Sequence, residues 1–110
     1  FFLAVNQQSQ IVGFSSITPQ GYLHSMFVHK DFQGEGIATM LLEEIERYAI
    51  TAGITRITSE VSLTARPFFE KKGYAVEKEQ KRKANQLSLT NFLMAKEVAF
   101  LEYYNKKVTD

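Results

Sequence analysis

Val28-His29-Lys30-Asp31-Phe32-Gln33-Gly34-Glu35-Gly36-Ile37-Ala38-Thr39-Met40-Leu41-Leu42-Glu43-Glu44-Ile45-Glu46 is the stretch whose reading decides the fold. An apolar run from Leu23 to Val28 ends in a short polar loop. Gln33-Gly34-Glu35-Gly36 follows, and then a periodic helix. Ile37, Leu41, Ile45 and Tyr48 fall on one stripe, which Ala38, Leu42 and Ala49 widen. The order is strand, glycine loop, helix. Such a loop aims several backbone N–H groups at one spot on the positive end of the helix dipole, a ready site for an anion such as phosphate. The two glycines let backbone approach a bulky ligand with no Cβ in the way. Glu35 is awkward for an anion site, so its side chain is expected to face solvent while its N–H faces inward. GxGxxG is absent, which argues against a dinucleotide fold, and no Gly-Lys-Ser/Thr follows, which excludes a Walker loop. The structural alternative is a tight turn that binds nothing.

Upstream, Phe1–Val5 and Ile11–Ile17 are strand-like and joined by a short polar link, so a β-hairpin is expected. Thr18-Pro19-Gln20-Gly21 reads as a turn. Tyr22–Val28 is a third strand, with Tyr22, His24, Met26 and Val28 on one face and Leu23, Ser25 and Phe27 on the other. Large side chains on both faces predict a central strand. The helix spans about Gly36 to Thr51 and stops near Gly53, with Glu43, Glu44, Glu46 and Arg47 as its wet face. Ile54–Ser62 is the next strand, with Ile57 and Val61 directed inward. A crossover of this length predicts that it runs parallel to its predecessor.

A short helix follows, with Thr64 as cap, Pro67 in its first turn and Gly73 at its end. Tyr74–Lys83 and Leu87–Val98 are the last two strands, turned at Ala84-Asn85-Gln86. Phe100–Asp110, carrying Leu101, Tyr103 and Tyr104, reads as a short amphipathic helix covering either the sheet edge or a partner subunit, which leaves a homodimer open. The fold class is therefore α/β, a mixed sheet, partly antiparallel and partly parallel, with flanking helices. Residues 1–98 form one domain and residues 99–110 a tail. The chain opens inside a strand without Met and reads as a fragment.

A net charge of +1, from 13 basic and 12 acidic residues, makes no case for nucleic acid or for a charged membrane surface. The run Glu77-Lys78-Glu79-Gln80-Lys81-Arg82-Lys83 alternates in sign at first and suits an edge strand guarded against aggregation. With no Cys, a disulfide, a thiolate metal site and a cysteine nucleophile are excluded. Two His without HxxxH spacing give no catalytic zinc, so no metal is expected. Without a signal region or a long apolar run, a soluble cytoplasmic protein is the expectation.

Gln33-Gly34-Glu35-Gly36-Ile37-Ala38 resembles the (Gln/Arg)-x-x-Gly-x-(Gly/Ala) signature of the GNAT superfamily of N-acetyltransferases. Two further blocks are similar to that family: Ala65–Tyr74, its short helix and terminal Gly-aromatic pair, and Leu89–Lys96, its last strand in small bacterial members. The resemblance covers roughly Phe1 to Val98, without the strand and helix pair that precede the hairpin in relatives. It implies the acyl-CoA N-acyltransferase fold and acetyl-CoA as co-substrate. It also implies that Phe27 and Val28 pair through their backbone with pantetheine. Gly34, Glu35, Gly36, Ile37, Ala38 and Thr39, with the Gln33 side chain at the loop mouth, would hold the pyrophosphate. Phe68 and Phe69 would serve partly as cofactor wall and partly as core.

Amine acetylation needs a free-base amine, hence a proton acceptor, and a donor for the developing oxyanion. Family position points to the N–H of Phe27 or Val28 as that donor. His24 is the first candidate base, because histidine as a residue type exchanges protons near neutral pH. It shares a face with Tyr22, and some relatives carry His there in a proton relay. The structural alternative is a half-buried strand histidine. Glu60 is the second candidate, against a solvated carboxylate. Many relatives place a proton-donating Tyr where this chain has Phe69, so the acid would be Tyr22, Tyr74, water or nothing. The resulting expectation is acetyl transfer from acetyl-CoA to a primary amine of a small molecule or peptide. Two rivals stay open: a non-catalytic acyl-CoA-binding module, and a structural or interaction domain.

Overall fold

A computed structural model describes residues 1–84 and 87–98. Its elements are β1 (Phe2–Val5), β2 (Ile11–Ile17), β3 (Leu23–Val28), a 3-10 turn (Lys30–Phe32), α1 (Ile37–Thr51), β4 (Arg56–Ser62), α2 (Arg66–Lys71), β5 (Ala75–Ala84) and β6 (Leu87–Glu97). The tail and the turn at Asn85 and Gln86 lie outside the described residues.

β1, β2 and β3 form an antiparallel sheet in that order. The first hairpin closes on Asn6, whose Oδ1 accepts the N–H groups of Gln8 and Gln10, both at 3.0 Å. The second sheet is also antiparallel, in the order β4-β6-β5. The charged strand β5 stands at its outer edge, as the alternating charges predicted.

The expected parallel pairing of β3 with β4 is cut down to one bridge, Tyr22 opposite Thr58, in which the Thr58 N–H donates to the Gly21 carbonyl at 2.9 Å. Beyond that bridge the strands part, so β3 is an edge strand of its sheet rather than a central one. The cause is visible in the register. β3 pairs Leu23 with Ile17 but Ser25 with Ser16, so His24 is the extra residue of a bulge, a feature that locally bends and twists a strand. Gly21 permits the one close approach: it has φ +91°, and a Cβ there would lie 2.3 Å from the Arg56 carbonyl oxygen.

α1 covers one face of the first sheet. A Cβ on Gly13 would lie 3.2 Å from both Ile37 Cγ2 and Leu41 Cδ1, so helix and strand are in direct contact. Leu41, Leu42, Ile45 and Ala49 are its buried residues. Tyr48 departs from the expected stripe: it is 41% exposed and sets its ring edge-on to Phe2. Ile57 and Val61 enter the core with Leu23, Phe69, Tyr74, Phe92 and Met94. Glu46 departs from the wet face, and its side chain is only 20% exposed. Thr64 does not cap α2; the Ala65 N–H donates instead to Ser62 Oγ at 3.1 Å.

Candidate active site

The site is built where β3 and β4 diverge. His29 N–H donates to the Val12 carbonyl at 2.7 Å, toward β2. N–H and C=O groups alternate sides along an antiparallel strand. Phe27 therefore also turns its backbone to β2, and its carbonyl oxygen would be 2.8 Å from a Cβ on Gly13. Val28 and Met26 turn theirs to the open edge, and the Val28 carbonyl accepts from Gln33 Nε2 at 3.4 Å.

The loop after β3 takes its shape from two left-handed residues, Gly34 at φ +84° and Gly36 at φ +81°. Gly36 is the N-cap of α1, and no side chain caps the helix there. The first-turn amides, which have no intrahelical partner, are thus left to a ligand or to solvent. They open onto a cleft of about 560 Å³. β3 contributes Met26 and Val28 to it. The loop adds Gln33, Gly34 and Gly36, α1 adds Ile37, Ala38 and Thr39, and the far wall is Ala65, Phe68 and Phe69. An anion-bearing group with an apolar arm fits this chemistry, with amides at one end and side chains of Met26, Val28 and Phe68 along the way.

A second cavity of about 400 Å³ adjoins the first, and Met26, Ala65 and Phe69 line both. His24, Ser25, Phe27, Ser59 and Glu60 also border it. His24 Nδ1 lies 2.8 Å from Ser25 Oγ, and its ring meets that of Tyr22 edge-on at 6.2 Å. At the apex, Ser59 Oγ donates to the Leu23 carbonyl at 3.0 Å.

The expected site residues thus divide into groups. Val28, Gln33, Gly34, Gly36, Ile37, Ala38, Thr39, Phe68 and Phe69 gather around the larger cleft, and His24 and Glu60 around the smaller. Glu35 faces away, into a separate hollow beside Leu3, Val5 and Met40. Phe27 lies outside the larger cleft; its ring is 51% exposed and packs on Phe14 at 5.7 Å. Tyr22 lines neither cavity, and its ring meets that of His24 at their edge. Tyr74 is buried, and its hydroxyl donates to Glu46 Oε2 at 2.9 Å. Burial, then the negative charge and hydrogen bond of Glu46, push the phenol far above its ordinary range, so it holds its proton. His29 caps the 3-10 turn by accepting the Asp31 N–H at 3.1 Å. Met26, Ala65 and Ser59 were not foreseen as site residues. Only Met26 carried a signal, as it shares the Val28 face of β3.

The profile of the family described as the acetyltransferase (GNAT) domain matches residues 1–97. The chain belongs to the GNAT acetyltransferase family. Among GNAT relatives, YafP of Escherichia coli K12, described as an uncharacterized N-acetyltransferase, is 31% identical over 86 residues, 78% of this chain and 53% of its own. YjaB of Salmonella typhimurium, described as a peptidyl-lysine N-acetyltransferase, is 31% identical over 75 residues, 68% of this chain and 50% of its own. The chain spans about half the length of the curated relatives it matches. A GCN5-related N-acetyltransferase from Rhodopseudomonas palustris superposes with TM-score 0.77 at 29% identity, over 84% of this chain and 58% of that one. An aminoglycoside 6'-N-acetyltransferase complexed with coenzyme A shares the GNAT fold, with TM-score 0.74 at 23% identity over 86% of this chain and 70% of that one.

Proposed function

We propose that this GNAT domain transfers an acetyl group from acetyl-CoA to a primary amine of a small molecule or peptide by direct attack. The observation that carries the reading is the uncapped amide loop opening into a cleft that adjoins a second cavity across Met26 and Phe69. Membership of the family supports it, and so does the peptidyl-lysine activity named for YjaB. The thioester supplies the activated acetyl group. The amides of Gly34 to Thr39 hold the diphosphate, with Gln33 at the mouth. The Val28 backbone, turned to the open edge, binds the extended arm, and its N–H is the donor for the oxyanion, an interaction worth about 3 kcal/mol in a dry site. His24 accepts the amine proton, directly or through water, and Glu60 is the alternative acceptor on the opposite wall. Phe69 has no proton to give, Tyr74 is committed to Glu46 and Tyr22 lines neither cavity, so the leaving thiolate takes its proton from water.

Titration calorimetry with CoA tests the cofactor site: no heat, and no competition by acetyl-CoA, overturns the reading. Thiol release from acetyl-CoA over a panel of small amines and lysine peptides tests the transfer. One specific observation favours a second reading, a non-catalytic acyl-CoA-binding module: no phenol lines either cavity. CoA binding without thiol release on any amine would select it.

A further inference from the structure

Glu46 is the exception on the polar face of α1. Its carboxylate accepts from Tyr74 at 2.9 Å and from Lys96 Nζ at 3.2 and 3.3 Å. Lys96 is half-buried in the same way, with a side chain 18% exposed. Its ammonium also donates to the Lys72 carbonyl at 3.0 Å, the C-cap of α2, and stands 5.7 Å from the centre of the Tyr74 ring. Gly73 makes room for this path, since a Cβ there would lie 3.3 Å from Lys96 Cε. One lysine from β6 thus joins α1 to the end of α2.

The consequence reaches the cleft through Phe69. The Tyr74 ring meets Phe69 edge-on at 5.3 Å, and Phe69 meets Phe68 edge-on at 5.4 Å. Phe69 lines both cavities. α2 has six residues, too few to hold a helix by its own hydrogen bonds, so tertiary contacts must fix it. A low-dielectric network with every member bonded is a rigid one.

We propose that Glu46, Tyr74 and Lys96 are positioning residues, a half-buried polar latch that holds α2 against α1 and so sets where Phe69 stands between the cofactor cleft and the acceptor cavity. Its effect on catalysis rests on the acetyltransferase reading; its effect on α2 does not.

Tyr74→Phe keeps the ring and removes one hydroxyl. Lys96→Met keeps the stem and removes the ammonium. Arg56→Met is the control, because it breaks the exposed cluster with Glu77 and Glu97 away from the cleft. Three quantities are measured: amide hydrogen exchange across residues 68 to 74, the CoA dissociation constant, and KM against kcat for an accepted amine. Both latch variants should speed exchange in α2 and weaken CoA about tenfold, the scale of one lost hydrogen bond to a charged group. The control should leave all three quantities at the parental value, since its ion pairs are exposed.

Parental exchange and parental CoA affinity in a folded Tyr74→Phe overturn the latch, as do equal changes in the control. If Lys96→Met does not fold, Tyr74→Phe decides alone. Should the parent bind no CoA, the acetyltransferase reading fails, and hydrogen exchange still decides whether the latch holds α2.

Discussion

The hydroxyl of Ser59 donates to the carbonyl oxygen of Leu23 at 3.0 Å, one residue beyond the single backbone bridge between β3 and β4. Ser59 is 5% exposed and borders the smaller cavity. It pins the vertex from which the cleft opens. Removing the hydroxyl leaves the Leu23 carbonyl without this partner in the interior. Ser59→Ala should therefore cost about 1–3 kcal/mol in urea unfolding. It should also lower kcat/KM for the amine more than it weakens CoA, since Ser59 lines only the acceptor side. Unchanged stability would remove the pin.

Gly36 and Gly53 form a matched pair, at φ +81° and +80° with open space around each. Alanine at either should cost about 1–2 kcal/mol for the left-handed backbone. Only Gly36 lines the cleft. Gly36→Ala should weaken CoA in calorimetry by more than tenfold, whereas Gly53→Ala should bind as the parent does. Equal losses of affinity would reduce the loop to a turn.

His24 borders the acceptor cavity and is held by Ser25. If it accepts the amine proton, His24→Ala should lower kcat/KM about a hundredfold or more. The variant should also lose the limb of the pH–rate profile along which the rate rises as a base is deprotonated. A parental profile would move that role to Glu60 or to water.

Tyr74 ties stability to pH at the alkaline end. Its folded-state pKa lies far above the unfolded value of 10.0, through burial first and Glu46 second. Above about pH 10 the unfolded chain loses this proton while the folded one keeps it. The unfolded state then binds fewer protons, and stability falls with rising pH by about 1.4 kcal/mol per unit from this group. The contribution is complete below pH 10. Tyr74→Phe should flatten the fall relative to the parent in denaturant titrations from pH 9 to 11. Parallel curves would show that the phenol ionises while folded.

How much of this was legible depends on distance along the chain. The loop and α1 were readable because their causes are local: two glycines in three residues, a helical stripe and a stop at Gly53. Ile57 and Val61 were readable from alternation alone. The splay of β3 from β4 was not, because it turns on pairing with a strand about thirty residues away and on a bulge that leaves His24 unpaired on β2. Glu46 looked like a solvated helix residue. Its partners, Tyr74 and Lys96, lie on other elements and have no signature in the helix itself.

Sequence by itself determined the order of elements, the place of two Cβ-free residues before a helix and the presence of free amides at that helix start, since each follows from residue type and backbone chemistry within a few residues. Tertiary structure alone decided which of those amides meet a cleft, which carboxylate is drawn out of solvent by partners on other elements, and which face of β3 is open. Those outcomes turn on contacts between segments 20 to 50 residues apart, where burial and hydrogen-bond satisfaction are settled only once the sheets and helices have packed.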